Sequence, residues 1–186
     1  MSFNEEKIFY FLEKGPICTD KMLEITKEIA EKRGLRSIVV ASTHGSTGVK
    51  ASEVFKGFNV IIVTHSFGFR EADQQELLKD NMEKIVKNGA KILSTTHAMG
   101  GIGRSIRRKF GAIQYDEIIA NTLRLFGEGI KVAIEIVVMA ADSGLISTNE
   151  DVISIGKYDT AIVVRPAHAQ NLFDVRVKEI ICKPLV

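Results

Sequence analysis

The chain has 186 residues, a length that suits one domain with a substantial buried core. Its 25 Lys and Arg against 23 Asp and Glu leave a net charge of +2, so bulk electrostatics point to neither a nucleic-acid nor an anionic-membrane partner. Two cysteines, Cys18 and Cys182, lie far apart without metal-ligand spacing, which suits reduced packing thiols rather than a disulfide framework.

The opening Met1-Ser2-Phe3-Asn4-Glu5-Glu6 lacks a basic-then-apolar leader, and no apolar run reaches the ~18 residues of a membrane span, so a cytoplasmic protein is expected. Residues Ile8 to Leu12 predict an outer strand. Thr19 or Asp20 then caps a helix to about Arg33, with Met22, Leu23, Ile25, Ile29 and Ala30 on one face and Gly34 closing it. Ser37-Ile38-Val39-Val40-Ala41 is an almost continuous apolar strand of the kind covered on both faces by helices. Val49 to Phe55 starts the next helix. A second strand, Val60 to Thr64, precedes the polar stretch Arg70 to Asp80, which leads into a helix ending near Asn88-Gly89; a third strand follows at Lys91 to Thr95.

Beyond Met99-Gly100-Gly101-Ile102-Gly103-Arg104-Ser105 the spacing predicts helices over about Tyr115 to Leu125 and Ile130 to Ala141, separated by Gly127 and Gly129. The tail reads as strands at Val152 to Ile155, Thr160 to Arg165 and Val175 to Cys182. The link between the first two is too short for a parallel crossover, so at least one tail strand is antiparallel. Strands alternating with helices predict an α/β fold with a mostly parallel sheet, and the absence of repeats or Pro/Ser-rich linkers predicts one domain over residues 1–186.

The turn after the Ser37 strand, Ser42-Thr43-His44-Gly45-Ser46-Thr47-Gly48, is the segment most suited to chemistry. Glycines let the backbone approach an anion, helix-start amides point outward and Ser/Thr hydroxyls add donors, so the turn predicts a phosphate site. The bland alternative is an ordinary strand-to-helix turn with a Ser/Thr cap. There is no Gly-Lys-Ser/Thr after a four-residue spacer, which disfavours nucleoside triphosphate hydrolysis. On this reading Gly45→Asp removes ligand binding and leaves the fold largely intact.

His44, His65 and His97 each fall at or just past the carboxyl end of a predicted parallel strand, the edge that holds ligands in open α/β sheets. They are candidate catalytic residues, because imidazole titrates near neutral pH; satisfaction by local backbone groups is the structural alternative. A three-histidine metal site is a further alternative, weakened because no carboxylate neighbours any of the three in sequence, and no metal is assigned. The Met99 to Ser105 stretch lacks the last glycine of a dinucleotide fingerprint. Arg104, Arg107, Arg108 and Lys109 read as a solvated helix face, and Glu135 and Asp142 stand on an otherwise apolar helix, where one faces the ligand or caps the Ser143-Gly144 turn.

The strand followed by Ser42-x-x-Gly45-x-Thr47, the second strand ending Val63-Thr64, Asp151 to Gly156 and Thr160 to Val164 together resemble the carboxy-terminal domain of pyruvate kinase, which binds a sugar bisphosphate. Closer still, Ala41-Ser42-Thr43-x-Gly45-x-Thr47, Thr95-x-His97, Gly129 to Asp142 and Asp159-Thr160-Ala161 resemble small, largely archaeal proteins that carry this domain without the catalytic barrel and are seen with flavin mononucleotide (FMN) bound. Cys18-Thr19-Asp20 departs from that pattern, which has an Asn-Thr pair there. The resemblance implies a three-layer α/β/α fold with a five-stranded sheet in the order 3-2-1-4-5, counted from the Ser37 strand, strand 5 antiparallel, plus extra terminal strands.

The ligand implied is FMN, its phosphate on Ser42, Thr43, His44, Gly45, Ser46, Thr47 and Gly48, with Thr64, His65, Ser66, Phe67, Gly68 and Thr95, Thr96, His97, Ala98, Met99 lining its chain and ring. The resemblance implies a ligand and no reaction: without the barrel no phosphoryl transfer from phosphoenolpyruvate is expected. A flavin-dependent oxidoreductase, a regulatory module for a sugar phosphate or nucleotide, and a metal-dependent hydrolase using the histidines stay open. The sequence does not set the oligomeric state and is compatible with a homo-oligomer.

Overall fold

The computed structural model describes residues 5–13 and 16–185; the opening Met1 to Asn4 lies outside them. Among the described residues seven strands form one sheet: β1 (Phe9–Phe11), β2 (Ser37–Ala41), β3 (Asn59–Thr64), β4 (Lys91–Ser94), β5 (Val152–Ile155), β6 (Ala161–Arg165) and β7 (Arg176–Pro184). Their order is β1-β7-β6-β5-β2-β3-β4. The five-stranded order 3-2-1-4-5 is therefore present as β4-β3-β2-β5-β6, extended by β7 and β1. Only β6 runs against its neighbours, since β5 joins it through the short Gly156 to Thr160 turn and β7 pairs with its other edge antiparallel.

The described residues also form six α-helices beside the sheet: α1 (Pro16–Arg33), α2 (Ser46–Val54), α3 (Lys79–Lys87), α4 (Ile102–Phe110), α5 (Tyr115–Arg124) and α6 (Glu128–Asp142), with a 3-10 turn at Ala169–Asp174. The apolar strands split their side chains between two faces. Ile38, Val40 and Ile62 pack with Met22, Leu23 and Ala30 of α1, Ala51 of α2 and Ile85 of α3. Val39, Ile61 and Val63 face Ala133, Val137 and Ala140 of α6 and Ala120 of α5. This alternation in an unbroken Val/Ile run is how a parallel strand serves two helical layers. No helix among the described residues is long and apolar enough to cross a membrane.

The largest departures from the sequence reading fall in the helices. Helix α1 starts at Pro16, placing Thr19 and Asp20 inside its first turns; a proline at the first helical position needs no amide partner and has its φ preset. Helix α2 starts at Ser46 rather than Val49. Helix α4 is an element of its own, with no buried residue, ended by Gly111 in the left-handed region at φ 71°.

Candidate functional site

The carboxyl ends of β2, β3 and β4 open onto a cavity of about 530 Å³, within the ~300–1,000 Å³ common for small-molecule sites. A second hollow of about 330 Å³ adjoins it, and the two share Ala41, Ser42, Thr43, His44 and Lys157. The site is thus continuous around the β2–α2 turn.

The smaller hollow is polar and sits at the start of α2, where Ser46 and Thr47 line it together with Thr19 and the Gly156 to Asp159 turn. The first amides of a helix have no intrahelical acceptor and carry the positive end of its dipole. Here the Gly48 N–H is taken by Ser42 Oγ at 3.0 Å and the Val49 N–H by the Gly45 carbonyl at 2.8 Å, so the turn is anchored on both sides of Ser46. Lys157 brings a cation with no ion pair among the described residues; its Nζ lies 4.6 Å from the Tyr158 ring centroid. Tyr158 and Asp159 hold consecutive positive φ values of 55° and 53°, an uncommon conformation for side-chain-bearing residues. Thr19 donates to Asp159 Oδ1 at 2.6 Å, so the turn that departs from the family pattern still reaches the rim of this hollow.

The larger cavity has a wall of clustered rings. His65 lies 4.0 Å from Phe69 and 5.4 Å from His97, centroid to centroid, and Arg104 Cζ sits 4.7 Å over Phe69. His65 Nδ1 is 2.6 Å from Glu76 Oε2, and its Nε2 is 3.5 Å from Thr43 Oγ1. Arg70 Nε at 3.3 Å and His44 Nε2 at 3.9 Å complete the surroundings of Glu76 Oε1. Burial alone raises the Glu76 carboxyl, but the His65 hydrogen bond and the charges of His65, Arg70 and His44 outweigh it and hold the group below its ordinary value. Burial pushes the His97 imidazole down, helped by His65, Arg104 and Lys131 and opposed by Glu135.

Opposite the rings, α6 presents Lys131 and Glu135, 5% and 3% exposed, joined at 2.5 Å between Nζ and Oε2. Glu135 Oε1 also accepts the Met99 N–H at 2.9 Å, tying α6 to the loop after β4. Of Glu135 and Asp142, Glu135 is therefore the one on the cavity, which Glu128 at the start of α6 also lines. Asp142 instead accepts the Ala169 N–H and contacts His168 Nδ1, each at 3.1 Å, at the start of the 3-10 turn.

The residues singled out by sequence separate into groups. Ser42, Thr43, His44, Thr64, His65 and His97 line the cavity, and Ser46 and Thr47 the smaller hollow. Ser66, Gly68 and Thr96 border an outer hollow beside Arg104, whereas Phe67, 66% exposed, and Thr95 line none of these. The Thr64 hydroxyl is engaged with Ser94 Oγ at 2.6 Å. Ala98 and Met99 pack into the α6-side core. Gly45 and Gly48 line neither cavity: a Cβ at Gly48 would meet Ile62 at 2.8 Å, so this glycine lets α2 lie close on the sheet. Gly45, at φ 96°, would direct a Cβ onto Asn81 Cβ and Leu77 Cδ1, both at 2.6 Å. The expectation for Gly45→Asp is corrected accordingly: its carboxylate would head into α3 and strain the fold, not face a ligand. Arg104 is half-buried over the Phe69 ring and does not lie on a fully solvated face, whereas Arg107 pairs with Glu117 at 3.1 Å on the outer face.

Sequence reading passed over Phe69, Arg70, Glu76, Lys131 and Lys157. Only Lys131 carried a usable signal, four residues before Glu135 in an apolar helix. Among the described residues no three or more His, Cys, Asp or Glu side chains are grouped to hold a metal ion. An open α/β sheet with a polar helix start and a ring-lined cavity at its carboxyl edge places the chain in the doubly wound class, whose ligand crevices lie at that edge. Residues 20–164 match the sequence pattern of the pyruvate kinase alpha/beta domain, and the chain belongs to that family.

Two crystal structures of pyruvate kinase from Cryptosporidium parvum are similar at 16% identity, with TM-scores of 0.42 and 0.43; each match covers 83% of this chain and 24% of the other. The chain spans about a quarter of the length of these enzymes. A hydrogen sulfide-producing enzyme from Fusobacterium nucleatum is similar at 21% identity and a TM-score of 0.31, over 56% of this chain and 28% of that one.

Proposed function

We propose that this domain binds FMN, with the phosphate at the start of α2 and the flavin in the ring-lined cavity. The observation that carries the reading is the continuity of two unlike compartments through Ala41 to His44 and Lys157. One offers hydroxyls, helix-start amides and a lysine, which suit a phosphate monoester. The other offers the His65, Phe69 and His97 rings, which suit a planar aromatic system. A sugar phosphate satisfies the first compartment equally well, and the ring wall is what favours a flavin over it.

Bound there, FMN supplies electron and hydride transfer. The chain's own contributions are separate. Lys157 neutralises phosphate charge, and the Lys131–Glu135 pair fixes the far wall and the loop after β4. His97, held neutral by burial, serves as a hydrogen-bonding partner near neutral pH. The test is to mix the purified protein with FMN, remove free flavin by gel filtration and measure the blue absorption and the flavin released by heat. One flavin per chain supports the proposal; a colourless protein that still binds a sugar phosphate in calorimetry refutes it and supports the regulatory-module reading.

A further inference from the structure

We propose that Glu76 is a positioning residue that fixes His65 as the proton-transfer group of the cavity, serving a co-substrate that interconverts a carbonyl and a hydroxyl group; this rests on the flavin reading above. The geometry is that of a base oriented by a third group. Glu76 Oε2 at 2.6 Å from Nδ1 assigns the ring proton to that nitrogen and turns Nε2 toward Thr43 Oγ1. The tautomer is inferred from this network. At 3.5 Å the Thr43 contact is at the limit of a hydrogen bond, so an entering hydroxyl competes at small cost for Nε2 of the neutral ring, and a carbonyl oxygen for the Nε2–H of the protonated one.

Glu76 is itself held. Arg70 binds its other oxygen and His44 lies nearby, so the carboxylate has one orientation toward His65. The remaining groups facing His65 are Phe69 of its own loop, His97 after β4, Arg104 of α4, and Lys131 with Glu135 across the cavity on α6. His65 and His97 differ in their surroundings: His65 has a carboxylate at 2.6 Å, whereas His97 is pushed down by burial, with Glu135 opposing His65, Arg104 and Lys131.

For a quinone co-substrate the step balances as follows. With reduced flavin as the hydride source for the quinone, a protonated His65 would give its Nε2 proton to the quinone oxygen and complete the hydroquinone, while Nδ1 keeps its own proton on Glu76. The neutral imidazole regains its proton from solvent, and Glu76 stays a carboxylate throughout.

The experiment uses the FMN-loaded protein, photoreduced without oxygen and mixed with duroquinone in a stopped-flow instrument across the pH range in which imidazole titrates. The wild-type rate is expected to fall as pH rises. His65→Asn removes that pH dependence and slows the step roughly 100-fold. Glu76→Gln displaces the rate profile toward lower pH, because the carboxylate that favours the charged ring is gone, and Glu76→Asp moves it part of the way back. Flavin stoichiometry and circular dichroism establish that each variant is folded. A Glu76→Gln profile that overlays the wild type, or pH dependence that survives in His65→Asn, overturns the proposal while leaving FMN binding intact. Failure of the wild type to take up FMN refutes the flavin reading itself, and the proposal with it.

Discussion

Gly129→Ala tests how tightly the start of α6 is set against the turn that carries Lys157. Inside a helix, alanine alone is favoured over glycine by roughly 1 kcal/mol, so propensity predicts a gain. Packing predicts the reverse. A Cβ on Gly129 would lie 2.0 Å from Thr160 Oγ1 and 2.3 Å from the Lys157 carbonyl, and one on Gly156 would lie 2.1 Å from the Gly129 carbonyl. Thr160 is buried and two of these three atoms are backbone, so helix and turn must separate by about 1 Å to restore ordinary contact. Overpacking of this kind costs about 3 kcal/mol or more, which outweighs the propensity gain and leaves a net loss of about 2–3 kcal/mol. In a chain of this size that lowers Tm by about 4–12 °C. Urea unfolding of Gly129→Ala, Gly156→Ala and the double variant checks the reasoning, because once the layers have parted the second methyl fits and the costs do not add. Gly144→Ala, with open space around it and φ 68°, isolates the backbone penalty at roughly 1–2 kcal/mol. Additive costs at the two contact glycines, or a Gly129→Ala more stable than the wild type, would refute the argument.

Other outcomes follow from the buried charges and thiols. Lys131→Met leaves Glu135 unpaired at 3% exposure and is expected to cost about 3–5 kcal/mol, with Lys131→Met/Glu135→Gln recovering at least about 1 kcal/mol of it in urea unfolding; no coupling in that cycle contradicts the pair. His97 is depressed, so its contribution is present above the unfolded value of 6.5 and lost as pH falls below it. His97→Gln should therefore flatten the acid side of the stability profile, and an unchanged slope counts against a buried neutral imidazole. Burial, aided by Asp159, raises the Cys182 thiol to about 12 from 9.0, against a hydrogen bond at Ala161. Its contribution is intact below pH 9.0 and is lost as pH rises toward 12, so Cys182→Ala should lessen the alkaline loss of stability. In a thiol-labelling assay at neutral pH Cys182 should react only on unfolding, and rapid labelling of it in the folded protein contradicts this burial.

The fold was legible where local pattern and burial agree. The Val/Ile runs at β2, β3, β5 and β6 are apolar on both faces because both faces are covered, and the five residues between β5 and β6 permit only an antiparallel return. Helix α4 was not legible as an element: Gly101 and Gly103 interrupt its start, and its arginines read as solvent-facing because nothing local shows that Arg104 lies over Phe69. The hydroxyl turn and the three strand-end histidines could be found because each sits at a strand's carboxyl end. Glu76 could not, since it lies eleven residues beyond His65 in a loop with no periodicity, and only the return of that loop brings the two together. Gly45 shows the opposite failure. Its place in a hydroxyl-rich turn suggested a ligand contact, whereas its missing side chain makes room for α3.

The central claim is that the phosphate is read at the start of α2 and by Lys157, and comparison of FMN with riboflavin tests it most directly. Both carry the flavin ring, and only FMN carries the phosphate. Charge-assisted phosphate contacts of about 1.5–3 kcal/mol each predict that FMN binds at least about 100-fold tighter than riboflavin in fluorescence titration. Lys157→Met should reduce that preference roughly tenfold or more while leaving riboflavin affinity unchanged. Equal affinity for the two flavins, or a preference insensitive to Lys157, would contradict the placement of the phosphate in this hollow.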